Sequence, residues 1–435
     1  MSPRLLLLAL LAGAIVRGAL LPLPGTGDVG SWKSWSFQGS RDTTGLYGVG
    51  GTPPERGVIK WRDIVGTTEY PPLALYEMSA VGVVYRRIDW RYNDTPALTA
   101  LIKTPGLIAE IAFVIVMLTW GARAFGRTEA RWIALAFWLN PAIVLNGSAL
   151  GYLDAQMAVP AALAIVAVGL GRPGLGGVLA AVAVMTKAQA LFVMPALALA
   201  LVRQERVDRL RAMVWFASSA LATVALLVLP FAVRGALPNM IGALARLGAH
   251  DMLSGHALNA WWIVTWLTRA IYALDELDWV TAFTMPVRIL SGTRFVEIGL
   301  PNPKPLGAAI VIALVLWGLW RLRGSRTLAD WSFFAGWSVL AYFMFGAQVH
   351  ENHAYLAIPC LAVAAGLHPR WRTFFWLASA LVAFNMYVFY GLGEGWPPII
   401  DRRWTGIDLT VIGSIPALAL FVYGTRRLAP VSDRS

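Results

Sequence analysis

The chain alternates long apolar runs with short loops that carry arginine, and this pattern restricts the fold more than any other feature. Hydrophobic residues make up 57% of the 435 residues, charged residues only 14%, and the mean hydropathy is +0.61. A membrane-spanning helix needs about 20 predominantly apolar residues. The sequence therefore predicts an all-α polytopic membrane protein rather than a soluble domain. We place twelve candidate spans at 5–24, 99–121, 130–149, 155–171, 173–187, 188–202, 211–233, 305–321, 330–348, 352–367, 371–391 and 406–423.

The first apolar run, MSPRLLLLALLAGAIVRGALL, has two readings. It could be a cleaved signal peptide, but no small-residue cleavage site stands out at its end, so we expect a signal-anchor helix. The single cysteine, Cys360, lies in another apolar run and excludes a disulfide framework.

The net charge of +12 comes from 36 basic residues, many of them in short loops between the apolar runs. An excess of lysine and arginine in short loops marks the cytoplasmic side of a membrane protein. This distribution makes nucleic acid an unnecessary partner and predicts that both termini are cytoplasmic. The arginines of these loops are Arg123, Arg127, Arg131, Arg203, Arg206, Arg209, Arg211, Arg321, Arg323, Arg326, Arg370, Arg372, Arg426 and Arg427.

This topology leaves two long segments, 25–98 and 234–304, on the outer side, where we expect function. The apolar stretch 70–87 would place every later arginine loop on the wrong side if it crossed the membrane. We therefore interpret it as an interfacial amphipathic helix that begins at its proline pair. Segment 25–98 is rich in aromatic residues and is expected to fold on the membrane surface. The tryptophans of 257–267 predict a second interfacial helix in the other segment.

Polar residues gather at the outward ends of the predicted spans. Each has an ordinary structural explanation, because lysines snorkel, acids cap helices and interfacial histidines find partners. Their common placement on one side favours a functional site. Glu110 differs, since it lies within an apolar span, where a carboxylate faces either a helix partner or a functional cavity. The outward residues are Asp28, Glu69, Tyr70, Lys103, Asp154, Gln156, Lys187, Gln189, His350, Glu351 and His353.

The ordered segments GDVGSWKSW, TEYPPLALY, LIKTPGLIAE, GYLDAQ, MTKAQAL and VHENHAYL resemble landmarks of the GT-C glycosyltransferases that use polyprenyl-phosphate sugars. They are most similar to the dolichyl-phosphate-glucose α-1,3-glucosyltransferases of the N-glycan precursor pathway. The resemblance covers residues 5 to about 230 and, locally, 340–356. Two positions depart from that family, because Glu69 replaces an aspartate and Asn352 stands where lysine is usual. The departures leave the sugar less defined than the reaction class.

The resemblance implies a GT-C fold with about twelve transmembrane helices and interfacial helices in long outer loops. It divides the chain into a transmembrane module at 1–233, a long outer loop at 234–304 and a variable transmembrane module at 305–435. The implied location is the bacterial cytoplasmic membrane, with the active site on its outer side. The implied partners are a polyprenyl-phosphate-linked hexose donor, a lipid-linked glycan or other acceptor, and membrane lipid.

The proposed chemistry inverts the anomeric centre by direct displacement. A base must accept the acceptor hydroxyl proton, and cations must stabilise the leaving phosphate. We assign Asp28 as the base, although it could instead only N-cap the helix that follows. Lys103, Lys187 and His350 are assigned to the donor phosphate. No cofactor or metal is required, although a divalent cation is possible. The remaining substrate-binding candidates are Glu69, Tyr70, Asp154, Gln156, Gln189, Glu351 and His353, with Trp32 and Trp35 anchoring their helix at the lipid headgroups.

Other classes of protein remain open. A secondary transporter also has about twelve spans and could use Glu110 as a coupling carboxylate. A lipid-linked glycan flippase or a non-catalytic scaffold is also compatible with the hydropathy, but none of the three explains the ordered motifs. The sequence contains no phosphate-binding loop and no GxGxxG before a helix, which favours a lipid-bound over a nucleotide-bound donor.

Overall fold

A computed structural model describes residues 2–48, 57–246, 250–404 and 406–429. Helices dominate these ranges, so the predicted helical class is confirmed. We label the first four as α1 (Pro3–Leu20), α2 (Gly27–Gly39), α3 (Pro72–Ile88) and α4 (Pro96–Val116). The later α-helices are Ala122–Ala124, Arg127–Trp138, Pro141–Ile143, Asp154–Gly169, Pro173–Thr186, Met194–Arg203, Arg209–Val233, Leu237–Arg246, Ala260–Ala273, Trp279–Thr284, Gly292–Glu297, Pro303–Arg321, Leu328–Phe345, Ala357–Leu367, Arg372–Tyr390 and Leu409–Arg426. Two π-helical segments, Met117–Gly121 and Val144–Leu150, continue helices, and 3₁₀ turns occupy Thr44–Tyr47, Ala188–Val193, His353–Leu356 and Pro369–Trp371.

Within the described ranges, seven helices are long and apolar enough to cross a membrane. An eighth span results if Arg127–Trp138 and Pro141–Leu150, which meet at 43°, are counted as one. Four further apolar segments, of 10–17 residues, are Asp154–Gly169, Pro173–Thr186, Ala188–Arg203 and His353–Leu367. All twelve predicted spans thus correspond to apolar helical segments. Seven or eight of these segments are long enough to count as spans by themselves, and the other four are shorter than about 20 residues.

The chain divides into two compact units. The first contains 1–191, 204–249 and the short piece 392–395, and the second contains 192–203, 250–391 and 396–435. The described parts of segment 25–98, residues 25–48 and 57–98, are folded in the first unit, where α2 packs on α3. A Cβ on Gly82 of α3 would lie only 1.9 Å from the carbonyl oxygen of Ser36, so this packing requires glycine. α3 is not among the candidate spans, in agreement with the prediction that it does not cross the membrane.

A small hairpin also belongs to this segment, and sequence analysis did not predict it. Strands β1 (Val58–Trp61) and β2 (Ile64–Thr67) pair antiparallel, with Val58 opposite Thr67. Both strands contact α2. The hairpin therefore covers one side of the helix that carries Asp28.

The transmembrane part of the first unit contains a buried ion pair. Arg17 of α1 lies with its Nε 2.7 Å from Oε2 of Glu110 on α4, and both side chains are about 1% exposed. The guanidinium also lies 3.8 Å above the ring of Trp138. Glu110 therefore joins α1 to α4. Of the two roles that the sequence left open, a helix partner or a functional cavity, it has the first.

The second unit contains the predicted helix at 257–267, observed as Ala260–Ala273. Its tryptophans were expected to face the membrane interface, and this was wrong for two of them. Trp262 is 0% exposed and Trp261 is 7% exposed. Trp262 donates its indole N–H to Thr410 Oγ1 at 2.7 Å. Aromatic residues of this segment can face lipid or protein, and here a neighbouring helix provides the partner.

Candidate active site

Asp28 lies in the first turn of α2, directly after a tight backbone turn. Gly25 has a φ of 82°, and a Cβ there would lie 2.6 Å from the carbonyl oxygen of Leu150. Thr26 is the N-cap residue, and its N–H donates to Leu150 O at 3.0 Å. Asp28 is therefore not the N-cap, and the N-cap alternative for this acid is wrong. The positive end of the helix dipole favours a carboxylate at this position.

Asp28 shares an electrostatic environment with residues from three other segments of the first unit. Lys187 Nζ lies 2.6 Å from Asp154 Oδ1, and both side chains are at most 5% exposed. Asn146 donates to the second carboxylate oxygen of Asp154 at 2.8 Å. The Lys187 ammonium also lies 5.5 Å from the centroid of the Tyr70 ring. We call Asp28, Tyr70, Asp154 and Lys187 the charged cluster.

The pKa of Asp28 is raised above its ordinary value. Desolvation by the surrounding protein is the largest cause, the positive charge of Lys187 opposes it, and the negative charge of Asp154 adds to it. Nevertheless, Asp28 is exposed at the protein surface. A carboxylate that is both accessible and partly desolvated suits a general base, because it can reach a substrate and holds a proton more strongly than in water. Burial likewise raises the pKa of Tyr70 to about 12.

Trp32 and Trp35 form an aromatic wall beside the charged cluster. Their ring centroids lie 5.1 and 5.4 Å from that of Tyr70 and 4.6 Å from each other. The two tryptophans are 3% and 1% exposed, and Trp32 donates its indole N–H to Gly151 O at 3.2 Å. They share one helix face, as their spacing predicts. Their predicted role as headgroup anchors was wrong, because this face packs against protein.

Lys103 was predicted to bind the donor phosphate, and the structure does not support this role. Its Nζ donates to the carbonyl oxygens of Leu23, Ser148 and Ala149 at 2.7, 3.1 and 2.8 Å. An ammonium has three protons to donate, so these carbonyls use its whole capacity. Lys103 is also only 3% exposed. It ties the end of α1 to the π-helical segment that precedes Gly151, and thus supports the turn at Asp28 indirectly.

Glu77, which the sequence analysis did not single out, lies on α3 opposite Gln156. With its amide oriented to match its neighbours, Gln156 donates to Glu77 Oε2 at 3.2 Å and accepts from the N–H of Gly106 at 3.1 Å. Burial raises the pKa of Glu77 to about 8. The sequence could have indicated Glu77, because it is an acid in the largely apolar first part of the helix that follows the proline pair. Gln156 thus links Glu77 to the segment that carries Asp154.

The other candidates occupy separate positions. Thr67 donates its hydroxyl to Glu69 Oε1 at 3.2 Å, and Gln189 lies half-buried on the 3₁₀ turn after Lys187. The remaining three, His350, Glu351 and His353, belong to the second unit.

There, strand β3 (Ser254–Gly255) pairs in parallel with β4 (Val349–His350). His353 Nδ1 lies 3.3 Å from the N–H of His350 and 3.2 Å from the hydroxyl of Tyr342. Glu351 is 2% exposed. Within the described residues, no group of three histidine, cysteine or acidic side chains is arranged to hold a metal ion.

No protein-family model matches the sequence, and no curated protein matches it. Solved structures with similar coordinates include the oligosaccharyltransferase of Archaeoglobus fulgidus tethered to an acceptor peptide, at 12% identity and a TM-score of 0.46. Another is the archaeal oligosaccharyltransferase AglB of the same organism in complex with an inhibitory peptide and a dolichol-phosphate, at 12% identity and a TM-score of 0.44. Both alignments cover 99% of this chain and 56% of the other, so the chain spans little more than half the length of these proteins. Similarity at this level is descriptive only.

Proposed function

We propose that this integral membrane protein is a glycosyltransferase of the GT-C type that uses a polyprenyl-phosphate-linked sugar, with Asp28 as its general base. The observation that carries the proposal is the charged cluster. Its members are as far apart in sequence as Asp28 and Lys187. Lys187 Nζ lies 2.6 Å from Asp154 Oδ1 and 5.5 Å from the centroid of the Tyr70 ring, and the charges of Lys187 and Asp154 both act on Asp28. Each member comes from a segment on which the sequence resemblance rests.

In the proposed reaction, an acceptor hydroxyl attacks the anomeric carbon of the donor as its proton passes to Asp28. The bond between the anomeric carbon and the phosphate oxygen breaks, polyprenyl phosphate leaves with its electron pair, and the configuration inverts. Lys187 has an electrostatic role, because its charge opposes the desolvation that would protonate Asp28. Asp154 and Asn146 hold Lys187 in place.

The negative charge of the leaving phosphate still requires a cation. The charged cluster has a formal charge of −1, since two carboxylates face one ammonium, and therefore does not supply it. The phosphate role of His350 remains a prediction of the sequence resemblance. We withdraw that role for Lys103, and for Lys187 because it pairs with Asp154. A hexose of the glucose or mannose type, a lipid-linked glycan acceptor and an outer-face site complete the proposal, on the strength of the sequence resemblance.

The transporter alternative depended on Glu110 as the coupling carboxylate. This carboxylate is paired with Arg17 at 2.7 Å. A carboxylate in a buried ion pair contributes to helix packing without any transport cycle. No other described feature favours transport over sugar transfer.

The test is sugar transfer by the purified protein in nanodiscs, supplied with synthetic polyprenyl-phosphate sugars and scored by release of the lipid phosphate. Wild type should consume at least one donor. Asp28→Asn should fold normally, because Asp28 is not the helix cap, yet react at least about a hundredfold more slowly. Asp63→Asn, which changes an exposed acid in the hairpin turn, is the matched control and should react normally. Near-normal turnover by Asp28→Asn would refute the assigned base, and the absence of turnover with every donor would refute the reaction class.

A further inference from the structure

A cavity lies against the face of α2 that is opposite to Asp28 and the charged cluster. It has a volume of about 410 Å³ and is formed by residues of the first unit. Its polar lining consists of Thr26, Lys33, Asp94, Thr95, Thr99 and Glu394. Pockets that bind small ligands have volumes of about 300–1,000 Å³ and a few convergent polar groups. The cavity is therefore large enough for a small ligand.

The two sides of α2 serve different sites. A helix turns about 100° per residue, so Asp28, Trp32 and Trp35 lie on one face. Gly30 and Lys33 lie on the opposite face and line the cavity. Gly27, which lines the cavity at the start of the helix, directly precedes Asp28. The N-terminal edge of α2 is consequently the short route between the cavity and the proposed base.

Glu394 reaches this edge on a glycine-rich loop. The piece 392–395 clusters with the first unit, and the N–H of Glu394 donates to Gly25 O at 2.7 Å. Gly393 has a φ of 116°, and a Cβ there would lie 2.7 Å from the same carbonyl oxygen. Only glycine allows so close an approach. The carboxylate of Glu394 lies over the first residue of α2, since its Oε1 would be 3.9 Å from a Cβ on Gly27.

The charges in the cavity select against an anion. Lys33 Nζ lies 2.7 Å from Asp94 Oδ1, so these two charges offset each other. Glu394 then leaves a net formal charge of −1. Phosphate would be repelled, and no group suited to hold a metal ion occurs within the described residues. The carboxylate of Glu394 is instead a partner that a neutral ligand rich in hydroxyl groups requires. The hydroxyls of Thr26 and Thr99 donate to the carbonyl oxygens of Leu150 and Thr95 at 3.4 Å, and each can still accept a hydrogen bond from such a ligand.

We infer that this cavity binds a neutral saccharide unit, with Glu394 accepting hydrogen bonds from its hydroxyl groups. Resting on the proposed function, we assign this unit to the glycan acceptor, at a position remote from the reacting hydroxyl. The acceptor chain then passes over the N-terminal edge of α2 to reach Asp28. Binding energy from the remote unit positions the reacting hydroxyl. Glu394 is thus a positioning residue for acceptor recognition.

The test measures saccharide binding without any transfer. Labelled protein in nanodiscs is passed over an array of immobilised di- and trisaccharides of glucose, mannose and galactose. Wild type should retain at least one of these saccharides. Glu394→Met and Thr99→Val should bind it at least about tenfold more weakly, since each loses a hydrogen-bonding group from the cavity. Glu276→Met, an exposed acid of the second unit, is the matched control and should bind as wild type does.

Gel filtration and thermal melting establish that each variant is folded. The inference is overturned if wild type retains no saccharide, or if folded Glu394→Met and Thr99→Val both bind as tightly as wild type. Sugar transfer without saccharide retention would overturn the cavity assignment and leave the proposed function intact. Retention without transfer from any donor would overturn the proposed function and leave the saccharide site intact.

Discussion

Replacement of Arg17 and Glu110 by methionine, singly and together, distinguishes a packing ion pair from a functional carboxylate. Removal of one partner leaves the other as an unpaired charge in a nearly inaccessible position. Breaking a buried pair in this way typically costs about 3–5 kcal/mol. We therefore expect Glu110→Met to lower the free energy of unfolding by about that amount. Arg17→Met should cost a similar amount, because it also removes the guanidinium that lies over Trp138.

The double variant should be much less damaged than either single variant. Within the described residues, Nη2 of Arg17 and Oε1 of Glu110 have no hydrogen-bond partner, so the pair is only partly satisfied. Such pairs can often be replaced by apolar residues of similar volume at little cost. Arg17→Met/Glu110→Met should therefore unfold within about 2 kcal/mol of wild type. The coupling energy between the two positions would then be at least about 4 kcal/mol, because two single losses of about 3 kcal/mol each exceed the double loss of about 2 kcal/mol by that amount.

The assay is reversible unfolding by sodium dodecyl sulfate in mixed micelles, followed by fluorescence of the 20 tryptophans. The double variant is also tested for sugar transfer, which should persist because the pair lies outside the charged cluster. Additive single effects, within about 0.5 kcal/mol, would refute the pairing. A stable double variant that loses all activity would refute the packing role and return Glu110 to the mechanism.

Three further predictions address the elements around the site. Lys103→Met should lower the free energy of unfolding by at least about 2 kcal/mol, because three carbonyls lose a charged donor, while the KM for the donor stays within about twofold. The reverse result, an intact stability with a raised donor KM, would restore its phosphate role. Gly25→Ala should cost about 1–2 kcal/mol for the left-handed backbone alone, whereas the control Gly18→Ala, which meets no atom within 4 Å, should not destabilise. Burial raises the pKa of Glu77 from 4.5 to about 8, so its protonated form stabilises the fold below pH 4.5 and this contribution is lost as the pH rises to 8. The melting temperature of wild type should fall over that interval relative to Glu77→Gln, and parallel curves would contradict the shift.

The positions of the helices and of the charged cluster could be predicted from the sequence, since both follow from local patterns. Apolar length gives helical segments in lipid, and polar groups that interrupt such segments mark their ends. Asp28, Tyr70, Asp154 and Lys187 were all identified in this way. Even a short apolar helix such as Pro173–Thr186 was placed within one residue, at 173–187, because its apolar run ends at Lys187.

The roles of Lys103, Trp32 and Trp35 depend on partners that are remote in sequence, and local patterns do not report them. Lys103 bonds carbonyls 45, 46 and 80 residues away. A lysine at the end of a span looks the same whether it faces phosphate or backbone. Likewise, a tryptophan in an outer loop looks the same whether lipid or Tyr70 contacts its ring. Glu394 illustrates the same limit, since its neighbour Gly25 lies at the other end of the chain.

The sequence predicted the site residues on one face of α2 but not the cavity against its opposite face. A surface helix usually has one apolar face, which its sequence period reveals. α2 has none, because Asp28 lies on the face that bears Trp32 and Trp35, while Lys33 lies on the opposite face toward Asp94. Such a helix is stable only where protein surrounds it, and α3, β1 and β2 provide those contacts. A polar residue on each side of an enclosed helix then requires a partner or a ligand on each side. On one face the charges of Lys187 and Asp154 act on Asp28, and on the other Lys33 pairs with Asp94 beside the cavity.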